Sequence, residues 1–149
     1  MNMPPLKVTD VTKIPKVYEW LTEQQGDFII AEYPMVIGGG GEALGNYDYL
    51  FFQTFHHKRM VDGCFPGSKC FEEKKSILNL NQLSTSQILK SWGVKYIILH
   101  SELYKSGSFQ EGVDIVGEVP HLNKITEYKL IKTFGTDSVY ELNDGANAE

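Results

Sequence analysis

Residues 26–63 read GDFIIAEYPMVIGGGGEALGNYDYLFFQTFHHKRMVDG, and this stretch decides the fold class. Phe28–Ala31 is a continuous apolar run, as expected of a strand covered on both faces. It empties into Glu32-Tyr33-Pro34, where the proline ends it. Gly38–Gly41 then forms a flexible loop. In Tyr47–Phe55, Leu50, Phe51 and Thr54 share a helical face, with Tyr47 one turn earlier. That spacing predicts a helix, although the aromatic content also suits a strand. The segment closes on the polar group Gln53, Thr54, His56 and His57. Arg59–Val61 reads as a short strand before an Asp62-Gly63 turn.

A second apolar run, GVKYIILH at 93–100, echoes the first and stops at His100. Outward from these two runs, the helices fall into place. Pro15 suits a first helical turn, and Ile14, Val17, Tyr18 and Leu21 follow the i, i+3, i+4, i+7 pattern as far as Gly26. Ser84 and Gln87 have capping-box spacing. Ile88, Leu89 and Trp92 give that helix an apolar face, and Gly93 is its C′ residue. Trp20, Trp92 and Tyr96 are expected in the core. Residues 65–81 read mostly as loop, and Phe109–Glu118 as a helix of weak pattern. Tyr128–Phe134 and Ser138–Leu142, joined by Gly135-Thr136-Asp137, form a hairpin. The expected fold is a single layered α/β domain over residues 15–142. Its sheet is mostly parallel, with a C-terminal antiparallel hairpin at the edge. Residues 1–14 form an extended segment or linker, and 143–149 a disordered tail.

Composition narrows the function classes. The 149 residues are 42% apolar, enough for one packed domain. There are 19 acidic and 14 basic residues and no basic stripe, which argues against binding nucleic acid through phosphates. The apolar runs fall far short of the ~20 residues of a membrane span. The start, MNMPPLKVTD, has no apolar signal region.

The candidate chemistry is sparse. The glycine tract with Gly45 follows a strand, as a phosphate loop does. It matches neither GxGxxG nor a Walker motif, and Glu42 would repel phosphate, so a plain loop is the better reading. His56 and His57 are neighbours, and on a helix their side chains diverge by about 100°. One exposed and one hydrogen-bonded histidine is expected there, not a metal site. Glu32 and His100 end their strands on the side where open α/β sheets bind ligands. If those strands are neighbours, the pair faces one crevice with Tyr33, Ser101 and Glu102. It could then serve acid–base work, but a structural hydrogen bond is favoured. No nucleophile elbow or HExxH motif is present. Cys64 and Cys70 flank a Pro66-Gly67 turn, and their spacing leaves free thiols and a disulfide both open. No metal or cofactor is expected.

The ordered motifs carry a family resemblance. They are VYEWLTEQQGDFIIAEYPM (17–35), YLFFQTFHHKRMVDG (49–63), ILKSWGVKYIILHSELY (88–104) and a Phe134-Gly135…Val139-Tyr140-Glu141-Leu142 ending. Together, from about Pro15 to Leu142, they resemble the C-terminal soluble domain of polytopic membrane glycosyltransferases of the GT-C type, like the protein mannosyltransferases. The glycine tract and the two-cysteine loop depart from that pattern. The resemblance implies an accessory domain whose parent chain holds the catalytic acid and the lipid-linked donor elsewhere. This chain alone would not transfer sugar. Its partners would be the membrane domain of the same parent chain and a glycan or protein acceptor. Glu32, Gln53, His56 and His100 would be its contacts. Its place would be the extracytoplasmic face of the membrane, which favours a Cys64–Cys70 disulfide; a complete chain would be cytoplasmic. The alternatives are a free-standing small-ligand or nucleotide-binding α/β domain and a hydrolase that uses the Glu32/His100 pair.

Overall fold

A computed structural model of the chain describes residues 12–37, 42–61, 69–105, 114–115 and 120–143. The Gly38–Gly41 tract, the Asp62-Gly63 turn, Cys64 and the tail from residue 144 lie outside these, as does the side chain of Cys70. In chain order the elements are α1 (Lys16–Glu23), β1 (Ile29–Tyr33), β2 (Val36–Ile37), α2 (Glu42–His56), β3 (Arg59–Met60), α3 (Lys69–Lys74), α4 (Leu83–Ser91), β4 (Val94–His100), α5 (Ser101–Lys105), β5 (Asp114–Ile115), β6 (Tyr128–Phe134) and β7 (Asp137–Leu142). Short 3-10 turns occupy Lys75–Ile77 and Leu122–Lys124.

The main sheet has the order β3-β1-β4-β7-β6. β1 runs parallel to both β3 and β4, and β7 and β6 add antiparallel to the β4 side. This is the expected α/β sheet with a hairpin at its edge. Gly135 takes φ 62°, the positive value a two-residue hairpin loop asks of its first central residue. β2 and β5 form a separate antiparallel pair, so a helical reading of Phe109–Glu118 fails at Asp114–Ile115.

Strand alternation divides the core into two halves. On one face Val17, Tyr18 and Leu21 of α1 and Phe52 of α2 pack against Phe28, Ile30, Tyr96, Ile98 and Val139. On the other, Ile77, Leu80 and Leu89 pack against Ala31, Tyr33, Ile97, Leu99, Tyr140 and Leu142. Pro15 is the N-cap of α1, with φ −58° preset by its ring, and the chain leaves the helix through Gly26 at φ 98°.

Four expectations are corrected. The buried side of α2 is Tyr49, Phe52 and His56, whereas Phe51 is 37% exposed and Thr54 is exposed. The aromatic run offers several apolar stripes, and contact with α1 decides which one turns inward. Residues 69–77, expected to be loop, are helical. α4 starts two residues early, at Leu83, with Gln82 rather than Ser84 at its N-cap and no side-chain cap. Ser84 therefore lies inside the first turn and the capping box does not form, while Thr85 Oγ1 donates to the carbonyl of Asn79 at 2.6 Å. Trp20 and Trp92 are partly buried at the rim of the two cores, while Tyr96 is buried as expected.

Leu89 is fully buried and Leu83 is 55% exposed, on the same helix. Leu89→Ala should lower unfolding free energy by roughly 2–5 kcal/mol in urea titrations. Leu83→Ala should change it by less than about 0.5 kcal/mol. Equal losses would mean that α4 is rotated from this position.

A buried acid–histidine network at the strand ends

Glu32 and His100 end strands that are hydrogen-bonded neighbours. In the β1–β4 register, Glu32 pairs with Ile98 and Tyr33 with Leu99, which puts Glu32 and His100 on the same face. The connection through α2 leads from β1 to β3 on one side, and the next returns past β1 to β4 on the other. The pair therefore stands at the topological switch, where open α/β sheets place their ligands.

The two side chains are engaged with each other. His100 Nε2 lies 3.3 Å from Glu32 Oε2, and His100 Nδ1 lies 2.8 Å from Asp137 Oδ1. Asp137 is placed by the hairpin, since it is the register partner of His100 at the start of β7. Tyr18, from α1, donates its hydroxyl to Glu32 Oε2 at 3.0 Å. Above the imidazole lies Tyr49 of α2, stacked with ring centroids 5.4 Å apart; its hydroxyl donates to the carbonyl of Pro34. Glu32 is fully buried and His100 is 7% exposed.

The protonation state follows from this geometry. Burial by itself lowers the pKa of His100. Hydrogen bonds to Asp137 and Glu32, and their negative charges, outweigh burial and raise it to about 9. With a carboxylate oxygen on each ring nitrogen, the imidazolium donates on both sides. Burial, then the charge of Glu32, raises the Tyr18 phenol well above its ordinary value, so it remains a neutral donor at physiological pH.

Sequence reasoning correctly paired Glu32 with His100 but missed Tyr18 and Asp137. Tyr18 read as one apolar position of α1, and Asp137 as a turn carboxylate. Of the other expected crevice residues, Tyr33 points to the opposite face, where its hydroxyl donates to the carbonyl of Ile77. Ser101 donates to the Thr136 carbonyl at 2.7 Å, and Glu102 is exposed. Gln53 is spent on the end of α2, where its side-chain amide donates to the Lys58 carbonyl at 3.0 Å.

The histidine pair divides as expected, with His57 exposed and His56 buried. His57 ends α2 at φ 57°, a conformation glycine more often supplies. His56 Nδ1 accepts from the Lys58 amide at 3.0 Å, and its ring stacks on Tyr18 with centroids 5.7 Å apart. Burial, then the electrostatic influence of His57 and Lys58, lowers its pKa to about 4. It is therefore neutral, with the proton on Nε2.

Among the described residues, no group of three or more histidine, cysteine or acidic side chains converges as a metal site. Chemically, the network is a closed charge clamp. Its acid and base face each other across hydrogen-bond distances, and the burial of Glu32 leaves no surface of it for substrate. A hydrolase that uses this pair does not fit such burial.

The two histidines make stability depend on pH in opposite senses. The raised pKa of His100 gives stability that is fully present below pH 6.5 and lost as pH rises to about 9, by about 3 kcal/mol in all. The lowered pKa of His56 gives stability that is present above pH 6.5 and lost as pH falls to about 4. Unfolding free energy should peak near pH 6.5. His100→Gln should flatten the alkaline limb and His56→Gln the acid limb. An alkaline limb unchanged in His100→Gln would remove the clamp from the account.

No family model matches the chain, and no curated protein matches it in sequence. Among solved structures it is similar to the C-terminal globular domain of an oligosaccharyltransferase from Archaeoglobus fulgidus. The TM-score is 0.55 at 15% identity, over 86% of this chain and 95% of that domain. A likeness at that identity establishes a common fold.

Proposed function

We propose that this chain is a non-catalytic accessory domain of a membrane glycosyltransferase of the GT-C type, held on the extracytoplasmic side. Its partners in this reading are the membrane domain of its own parent chain and a glycan or protein acceptor. The supporting observation is the likeness to an oligosaccharyltransferase globular domain along nearly its whole length. That likeness agrees with the ordered motifs between Pro15 and Leu142. No described helix is long and apolar enough to cross a membrane, so in this reading the spans belong to the rest of the parent.

The site suits a supporting role. Glu32 and His100 are consumed in a clamp that joins α1, β1, β4 and β7. The clamp fixes the end of the sheet from which β2 and α5 emerge. Glu32, His56 and His100 then act on an acceptor through the elements they hold in place. Gln53, partly buried, does the same for the end of α2.

A second reading, a free-standing small-ligand or nucleotide-binding domain, draws on the location of Glu32 and His100 at the switch point. Their burial weakens it.

The two readings separate on the transcript. The accessory-domain reading expects a series of apolar segments of ~20 residues encoded upstream in the same frame. A stop codon in frame immediately before Met1 would overturn it. A thermal-shift response of this chain to nucleotides or sugar phosphates, without such segments, would establish the second reading instead.

A further inference from the structure

The opposite end of the same sheet face carries a different constellation. In the β1–β4 ladder Ile29 pairs with Val94 and Ile30 with Tyr96, so Lys95 is an extra residue in a β-bulge. Bulges re-aim side chains. Here the ammonium of Lys95 comes to lie 5.4 Å from the ring centroid of Phe28 and 5.1 Å from that of Tyr96. A second ammonium reaches the same ring from the connection between α2 and β3. Directly after His57 turns the chain out of α2, Lys58 brings its Nζ to 4.7 Å from the Phe28 centroid. Lys58 Nζ also donates to the Gln24 carbonyl at 2.6 Å. Two cations thus converge on one buried aromatic ring. They are no more than about 10 Å apart, within roughly one Debye length at 0.1 M salt. Arg59 stands next in line, its side chain 61% exposed and paired with Asp27 at 3.0 Å. Trp20, partly buried, meets Tyr96 edge to face at 5.3 Å.

This arrangement is not an ordinary solvated face. The chain carries net charge −5, and Asp27 already compensates Arg59. Among the described residues neither Lys58 nor Lys95 has a carboxylate within ion-pair distance, although Glu141 stands opposite Tyr96 on β7. Each ammonium lies against the Phe28 ring, and an anion that reached both would relieve their mutual repulsion. Lys58 spends one of its three donors on Gln24 and keeps others for a ligand. Trp20, partly buried and packed on Tyr96, supplies an amphipathic aromatic surface, the kind that packs against an apolar body with a polar rim.

We infer that Lys58 and Lys95, with Trp20 beside them, form a binding site for an acidic saccharide. The two ammoniums take its carboxylate or ester anion, and the tryptophan takes the sugar ring. The saccharide part of this inference rests on the glycosyltransferase reading above; the anion part rests on the lysine pair alone.

The test is a titration of the isotope-labelled chain, followed by amide NMR, with a uronate-containing hyaluronan oligosaccharide. Neutral maltooligosaccharide, inorganic phosphate and an acidic peptide are run beside it. The expected result is saturable shifts at residues 20–28, 58–59 and 94–96 for the uronate oligosaccharide, with little response to the neutral one. Lys58→Gln and Lys95→Gln should each weaken binding about tenfold or more, because each removes a charge-assisted contact. Amide spectra of the free variants serve as the control that the fold is retained. Equal binding by the neutral oligosaccharide, tighter binding by the acidic peptide, or affinity unchanged in both variants would each overturn the inference. A response to phosphate alone would mean a simple anion site and would overturn the saccharide assignment. None of these outcomes depends on what is encoded upstream, so the failure of this site and the failure of the accessory-domain reading can be told apart.

Discussion

His100 held between Asp137 and Glu32 is the constraint on which the end of the sheet depends. An ion in the interior is tolerated only when its partners are placed well enough to offset its desolvation. Here the partners come from three separate parts of the chain: β1 supplies Glu32, the hairpin supplies Asp137, and α1 supplies the Tyr18 hydroxyl. Removing any one would strand a buried charge or donor, so the clamp favours the one arrangement in which β1, β4, β7 and α1 meet. Aromatic packing around it, with Tyr49 over His100 and Phe52 and His56 against Tyr18, keeps water out and strengthens each electrostatic contact.

Both ends of this sheet face are polar, yet they differ in kind. At the carboxyl ends of the strands the charges are opposite in sign, mutually paired and buried. At the amino ends they are like in sign, gathered on Phe28 and open to solvent on the lysine side. The first arrangement suits holding a structure together and the second suits meeting something else. Open α/β sheets bind their ligands at the carboxyl ends of the strands. In this chain that crevice is filled by its own side chains, so a ligand at the usual place would have to displace them.

The legible part of the fold was its backbone order. The apolar runs at Phe28–Ala31 and Val94–Leu99, the i, i+3, i+4, i+7 pattern of α1 and the Gly135 turn are local signals, and each appears where the spacing put it. The inward face of α2 was not legible. Tyr49, Phe51, Phe52 and Phe55 surround the helix, and the choice among them is made by contact with α1. The capping box at Ser84 failed because the helix begins earlier, at Leu83, which leaves Ser84 inside its first turn.

The sequence by itself determined which residues would end the central strands, and hence that Glu32 and His100 would come near each other if those strands were neighbours. It determined the α/β class and the terminal hairpin, because apolar period and turn chemistry act over a few residues. The tertiary structure alone decided that the pair would be closed off, by bringing Tyr18 from 14 residues upstream of Glu32 and Asp137 from 37 residues beyond His100. It also decided that Lys58 and Lys95 would share one ring. Charge pairing and ring contact depend on distance in space, and a pattern read along the chain does not carry that distance until the sheet order is fixed.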